Sequence, residues 1–184
     1  MTESSEVVFI GGRSGVGKSC VGLQIHQQLS AAAVRHCLIE GDYLDMGYPT
    51  PWKHGLAERL TNRAILVTNL AAMWANYRDL GYRRLICTNT ASVLPEVTEQ
   101  LTAAMGDSPR VLAVLLTCTE DTARQRLSQR EIGPAFKDHL ERSAAAASLL
   151  ESEAPSQVHR ISTDGRSVPD IAAEVIDITG RLQS

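Results

Sequence analysis

"FIGGRSGVGKSC" (residues 9–20) places four glycines directly ahead of a lysine and a hydroxyl, after one apolar run and before an amphipathic one. Within it, Gly12-Arg13-Ser14-Gly15-Val16-Gly17-Lys18-Ser19 satisfies the pattern G-x-x-x-x-G-K-[ST] in full. Glycines let a backbone turn with its N–H groups pointing inward, and at a helix N-terminus such a turn is an anion cradle. Lys18 adds a point charge directed at the β- and γ-phosphates. Ser19 adds an oxygen for Mg²⁺, a hard ion that prefers oxygen ligands and keeps most of its waters. A turn that merely packs a helix on a strand has no use for Lys18. The stretch therefore predicts a nucleoside triphosphate site, with Gly12, Arg13, Ser14, Gly15, Val16, Gly17, Lys18, Ser19 and Cys20 as the binding run.

Working outward, five short apolar runs read as strands: residues 7–11, 36–40, 83–90, 111–117 and 159–163. They are continuous rather than alternating, as in a parallel sheet covered on both faces. Helical spacing fills the intervals. Val21, Ile25 and Leu29 repeat at i, i+4, i+8. Ile65, Leu66, Leu70, Met73, Trp74 and Tyr77 do the same within 57–80, ending at Gly81. Segments 92–105 and 120–130 follow, and a last helix opens at Pro169 and Asp170 and stops at Gly180. Strands alternating with helices predict an α/β fold, a P-loop NTPase α/β/α sandwich with a five-stranded parallel sheet. Two regions escape the pattern: a turn-rich, aromatic loop at 41–55, and a charged, alanine-rich stretch at 131–157 that reads as a mobile flap followed by a helix.

The chain has 184 residues, enough for one well-buried domain. Its 43% apolar and 21% charged residues are the proportions of an ordinary globule. A net charge of −3 offers no general basic field for nucleic acid or anionic lipid and leaves room only for a local basic pocket. Cys20, Cys37, Cys87 and Cys118 are widely spaced, as buried thiols of a reducing cytoplasm are, rather than as a disulfide or zinc set. No signal sequence and no membrane span is expected. A monomer or a homodimer fits equally.

The loop with serine at its third position, "IEGDYLD" after the second strand, "RQRLSQR", and "ISTDGRSVPDIAAEVI" near the end together resemble the small P-loop kinases. The gluconate kinase, adenylylsulfate kinase and chloramphenicol phosphotransferase group is the nearest by motif, although residues 43–80 match none of these closely. The resemblance implies a nucleoside-kinase-like strand order, ATP and Mg²⁺ as cofactors, and a small-molecule hydroxyl as acceptor. It also implies that Asp42 orients or deprotonates the acceptor hydroxyl, or holds a magnesium-bound water. Arg126 and Arg130, at i, i+4, would clamp the adenine and the phosphates, and the loop with Thr163, Asp164, Gly165 and Arg166 would line the base. Lys18, Asp42 and Arg130 are thus the candidate catalytic residues, and Ser19 and Asp42 the candidate metal ligands. Lys137 and Arg142 are further candidate phosphate contacts in the flap.

The third run ends in Thr88-Asn89-Thr90, where many P-loop NTPases carry a Walker-B aspartate. Its lack weakens a motor or switch assignment, and a small kinase tolerates it. Thr88 and Asn89 could hydrogen-bond a polar acceptor. Asp45, Tyr43, Trp52 and Arg59 complete the candidate acceptor residues, with Tyr48, His54, Arg63 and Arg78 nearby. Two other functions remain open at this level: a nucleoside or nucleotide kinase, and a nucleotide-binding regulatory or resistance protein with little turnover.

Overall fold

The computed structural model describes residues 4–49, 63–129 and 134–180. Strands β1 (Glu6–Gly11), β2 (Cys37–Glu40), β3 (Arg84–Thr88), β4 (Arg110–Thr117) and β5 (His159–Ser162) form one sheet in the order β2-β3-β1-β4-β5. Every pairing is parallel. β1 is central: Val8 lies beside Ile86 of β3 and Leu112 of β4. Six α-helices accompany the strands among the described residues: α1 (Lys18–Ala31), α2 (Ala64–Asp79), α3 (Pro95–Met105), α4 (Glu120–Ser128), α5 (Pro134–Glu153) and α6 (Val168–Thr179).

Successive strand residues point to opposite faces, so one continuous apolar run feeds two cores. Val7 and Phe9 of β1 join Leu66, Leu70 and Trp74 of α2, Leu101 of α3 and Leu150 of α5 on one side. Val8 and Ile10 join Val21, Ile25 and Leu29 of α1 and Ile171, Val175 and Ile176 of α6 on the other. Each such side chain contributes about 1.5–3 kcal/mol on leaving water. The three-layer sandwich expected from the sequence is present.

Boundaries moved where local chemistry overrides periodicity. Pro95 starts α3 because Leu94 ahead of it is extended, so 92–94 form a turn instead of helix. In α2, Leu66, Leu70 and Trp74 face the core, whereas Ile65 and Met73 lie on the outer side at 47% and 37% exposure. The stretch read as flap is helical from Pro134 onward. Ser167 caps α6 by accepting from the Asp170 amide at 3.2 Å, and Gly180 ends it with φ 60°. Among the described residues no helix is long and apolar enough to cross a membrane.

Cys37 and Cys87 are buried, Cys118 is half-buried and Cys20 exposed, and all four are free thiols. Burial pushes the Cys37 thiol up to about 12 and raises Cys87 and Cys118 as well.

Candidate active site

β1 delivers the chain to the carboxyl edge of the sheet, and residues 12–17 turn it back into α1. Gly17, the residue before α1, has φ 104°, a left-handed conformation that favours glycine, and an added Cβ there would meet nothing within 4 Å. No side chain caps α1. The first amides of a helix lack intrahelical partners, and here they are left to whatever enters the loop. The buried Lys18 donates from Nζ to the carbonyl of Gly12 at 2.9 Å and to that of Arg13 at 3.4 Å. Ser19 is exposed. A cavity of about 150 Å³ is lined by Ser14, Gly15, Gly17, Lys18, Ser19, Asp42, Leu127 and His139.

Asp42 arrives from the other side of this cavity, on a 3₁₀ turn (Gly41–Tyr43) that follows β2. Gly41 lets the turn press against β3, since a Cβ there would lie 2.6 Å from the Thr88 carbonyl oxygen. One Asp42 oxygen is 3.8 Å from Lys18 Nζ. The other accepts from Asn89 Nδ2 at 3.1 Å, while Asn89 Oδ1 accepts from the Ala91 amide at 3.2 Å. Both ends of the Asn89 amide are therefore assigned, and the residue aims Asp42. Read from the sequence as an acceptor contact, Asn89 is seen in the structure holding Asp42 and the Ala91 amide. Thr88 is likewise not presented to an acceptor: it is fully buried and its hydroxyl donates to the Glu40 carboxylate.

Arg13 also departs from expectation. Its side chain is 5% exposed and does not line the phosphate cavity. Nη1 donates to Glu120 at 2.5 Å and Nε to the Ser143 hydroxyl at 2.9 Å, and Ser143 in turn donates to the Ser14 carbonyl at 2.9 Å. One guanidinium thus ties the loop to α4 and α5, and it holds the Glu120 carboxyl below the usual carboxylate range. Its Nη2 is buried with no hydrogen-bond partner among the described residues, and Arg13 lines a separate hollow with Leu116, Cys118 and Glu151. Val16 sends its side chain into the core and offers its main chain alone. Cys20 is exposed on the first turn of α1.

Arg126 donates to the carbonyls of Val16 and Thr163 at 3.0 and 3.1 Å and to the Thr163 hydroxyl at 3.0 Å. It spans the glycine loop and the turn after β5, with its hydrogen-bonding edge engaged by protein. In that turn Asp164 accepts from the Thr119 amide at 3.0 Å, and Gly165 has φ 65°. Hydrogen bonds from Thr122, then Thr119 and Ser162, hold the Asp164 carboxyl below the usual carboxylate range. Asp164 locks the turn to the start of α4.

On the acceptor side, Asp45 is buried, and Tyr43 and Tyr48 are 67% and 100% exposed. These two rings therefore do not enclose a pocket. Trp52, His54, Arg59 and Arg130 lie outside the described residues. Lys137 is exposed and 4.0 Å from Glu141, and Arg142 is exposed. α5 instead brings His139 to the cavity wall, a residue that the sequence did not single out. Its signal was there in part: His139 and Ser143 are i, i+4 on the helix face that continues through the buried Ala146 and Leu150.

No protein-family model matches the chain, and no curated protein sequence does. Among solved structures it is similar to APS kinase of Mycobacterium tuberculosis in complex with AMPPNP and APS, at 21% identity, covering 96% of this chain and 98% of that one, with TM-score 0.61. A gluconokinase from Sinorhizobium meliloti 1021 follows at 19% identity, 97% and 93% coverage and TM-score 0.62. The tunicamycin resistance protein of Deinococcus radiodurans is similar at 16% identity, 96% coverage of both chains and TM-score 0.58. The fold along the chain thus resembles that of the small P-loop kinases.

Proposed function

We propose that the chain is an ATP-dependent kinase that transfers the γ-phosphoryl group to a hydroxyl of a small molecule, a metabolite or an antibiotic. One observation carries this reading: an uncapped helix start, the Lys18 ammonium and the Asp42 carboxylate share one cavity, with 3.8 Å between the two charges.

Phosphoryl transfer needs positioning and charge neutralisation more than covalent participation by the protein. The amides at the start of α1 and Lys18 hold the phosphate oxygens. Asp42, aimed by Asn89, takes the proton from the acceptor hydroxyl or orients it. Arg126 and the turn at Thr163–Gly165 border the base. Among the described residues no three His, Cys, Asp or Glu side chains gather as a metal set. A donor set of one hydroxyl, Ser19, and one carboxylate, Asp42, suits Mg²⁺, whose other positions go to phosphate and water. The metal supplies neutralisation of the triphosphate charge. Use of ATP would place the protein in the cytoplasm.

The fold neighbours act on, or confer resistance to, different small molecules, which supports the class of acceptor and leaves its identity to experiment. The test is incubation with labelled ATP, Mg²⁺ and a pool of metabolites and antibiotics, followed by mass analysis. A product heavier by one phosphate, absent with Asp42→Asn, is expected. ATP binding with no such product from any pool would overturn the kinase assignment and favour a nucleotide-binding regulatory role.

A further inference from the structure

The P-loop occupies the carboxyl edge of the sheet. At the amino edge, one β1 length or about 20 Å away, lies an open hollow of about 490 Å³ lined by Ser4, Glu6, Arg35, Gly81, Arg83 and Arg84. Three guanidinium groups thus meet one carboxylate in a chain whose net charge is −3.

Two of these groups are held by neutral partners. Arg35 donates to the Leu80 carbonyl at 2.9 Å, and its guanidinium carbon lies 4.9 Å from the centre of the Tyr82 ring. Arg83 donates to the carbonyls of Arg78 and Tyr82 at 2.9 and 2.8 Å. Neither forms an ion pair among the described residues, and the exposed Asp79 at the end of α2 pairs with neither. Glu6 is already divided between Arg84 at 3.3 Å and Arg110 at 3.2 Å. Gly81 keeps the floor clear: with φ 85°, a Cβ there would lie 3.1 Å from Arg35 Nη1.

Capping the carbonyls at the end of α2 explains where Arg35 and Arg83 are anchored. It does not explain why Arg84 opens on the same hollow, or why Arg35 and Arg83 have no carboxylate partner among the described residues. We propose that this hollow is a second anion site, separate from the P-loop, for a compact small molecule bearing a phosphate or another doubly charged oxyanion. Guanidinium forks match paired phosphate oxygens, and here they are pre-oriented before any ligand arrives. The concave shape admits a headgroup, and the negative charge of the rest of the chain disfavours a long polyanion.

Inorganic pyrophosphate is the probe, titrated calorimetrically into protein saturated with AMPPNP and Mg²⁺ so that the P-loop is filled. One further site per chain is expected, weakening about tenfold in Arg35→Gln and more in Arg83→Gln, and weakening with added salt. AMPPNP binding measured on each variant reports whether it has folded, and Arg35, being exposed, is the variant least able to disturb the fold. Should AMPPNP fail to bind, the nucleotide assignment is at fault, and Lys18→Ala protein serves for the same titration. Heat from pyrophosphate in the wild-type chain no greater than in the same Mg²⁺ and AMPPNP buffer without protein, or binding unchanged from wild type in both arginine variants, would overturn the second site.

Discussion

At and behind the cavity of the glycine loop three charged side chains are held by protein partners: Lys18 on the Gly12 carbonyl, Arg13 on Glu120 and Ser143, Asp42 on Asn89. Across it, on the described part of the acceptor loop, Tyr43 and Tyr48 stand in solvent. The proposed phosphate side is built mostly from consecutive residues and their backbone, braced from behind by the Arg13 side chain. The acceptor side must be assembled from side chains on a loop, and loops that carry specificity are free to vary in that way. The fold neighbours share the sandwich while differing in the small molecule that each name records.

The largest effect expected from breaking this contrast is at Lys18. Lys18→Ala should cost about 10²–10³ in turnover and weaken nucleotide binding as well, because one charge serves ground state and transition state. Steady-state kinetics with calorimetry on an ATP analogue would show both losses together. Asp42→Asn should separate them, lowering kcat about 10²-fold with analogue binding retained. Asn89→Ala should reproduce a weaker version of that split through Asp42, with some loss of Tm because the Ala91 amide loses its acceptor.

Arg13 tests the brace behind the loop. Arg13→Ala removes two charge-assisted hydrogen bonds, together worth about 1.5–3 kcal/mol once the half-exposed Glu120 is discounted for solvent screening, so thermal unfolding should move down by roughly 3–12 °C. Glu120→Gln should lower Tm less, because the Ser143 contact persists.

The glycine-rich turn between β1 and α1 was legible in the sequence, and the reason is that G-x-x-x-x-G-K-[ST] is contiguous. What Arg13, Thr88 and Asn89 do was not, because each depends on a partner from another element: Glu120 and Ser143, Glu40, and Asp42. Arg13 sat inside a nucleotide-binding motif and so read as a nucleotide contact, until packing committed its side chain to α4 and α5.

A smaller effect is expected far from the cavity, at the start of β2. The Val34 carbonyl can only accept, so His36 Nδ1 carries the proton, and His36 Nε2 accepts from His26 Nδ1 at 2.8 Å. Burial lowers the His36 pKa from its ordinary 6.5. A base whose folded pKa lies below its unfolded value costs stability when it must be protonated, so stability is full above about pH 6.5 and declines as pH falls toward the folded pKa. Urea titrations from pH 7.5 to 5 should show that decline, and His36→Gln should flatten it.

The smallest structural effect is expected at Tyr43. Tyr43→Ala should leave unfolding within about 0.5 kcal/mol of wild type, as for exposed sites generally. A change confined to the acceptor KM would place the ring at the acceptor. No change in any constant would remove it from the site and sharpen the contrast between the two sides.

The sequence by itself determined the sandwich and the glycine-rich turn ahead of α1. Continuous apolar runs demand cover on both faces, and a glycine-rich turn before a helix leaves its amides unpaired, whatever else the chain contains. Only the tertiary structure decided which charges remain available. It placed Asp42 near Lys18, withdrew Arg13 into a brace, and set three arginines around one hollow at the far edge of the sheet. A charge acts through its distance to other charges, and those distances exist only once the chain has folded.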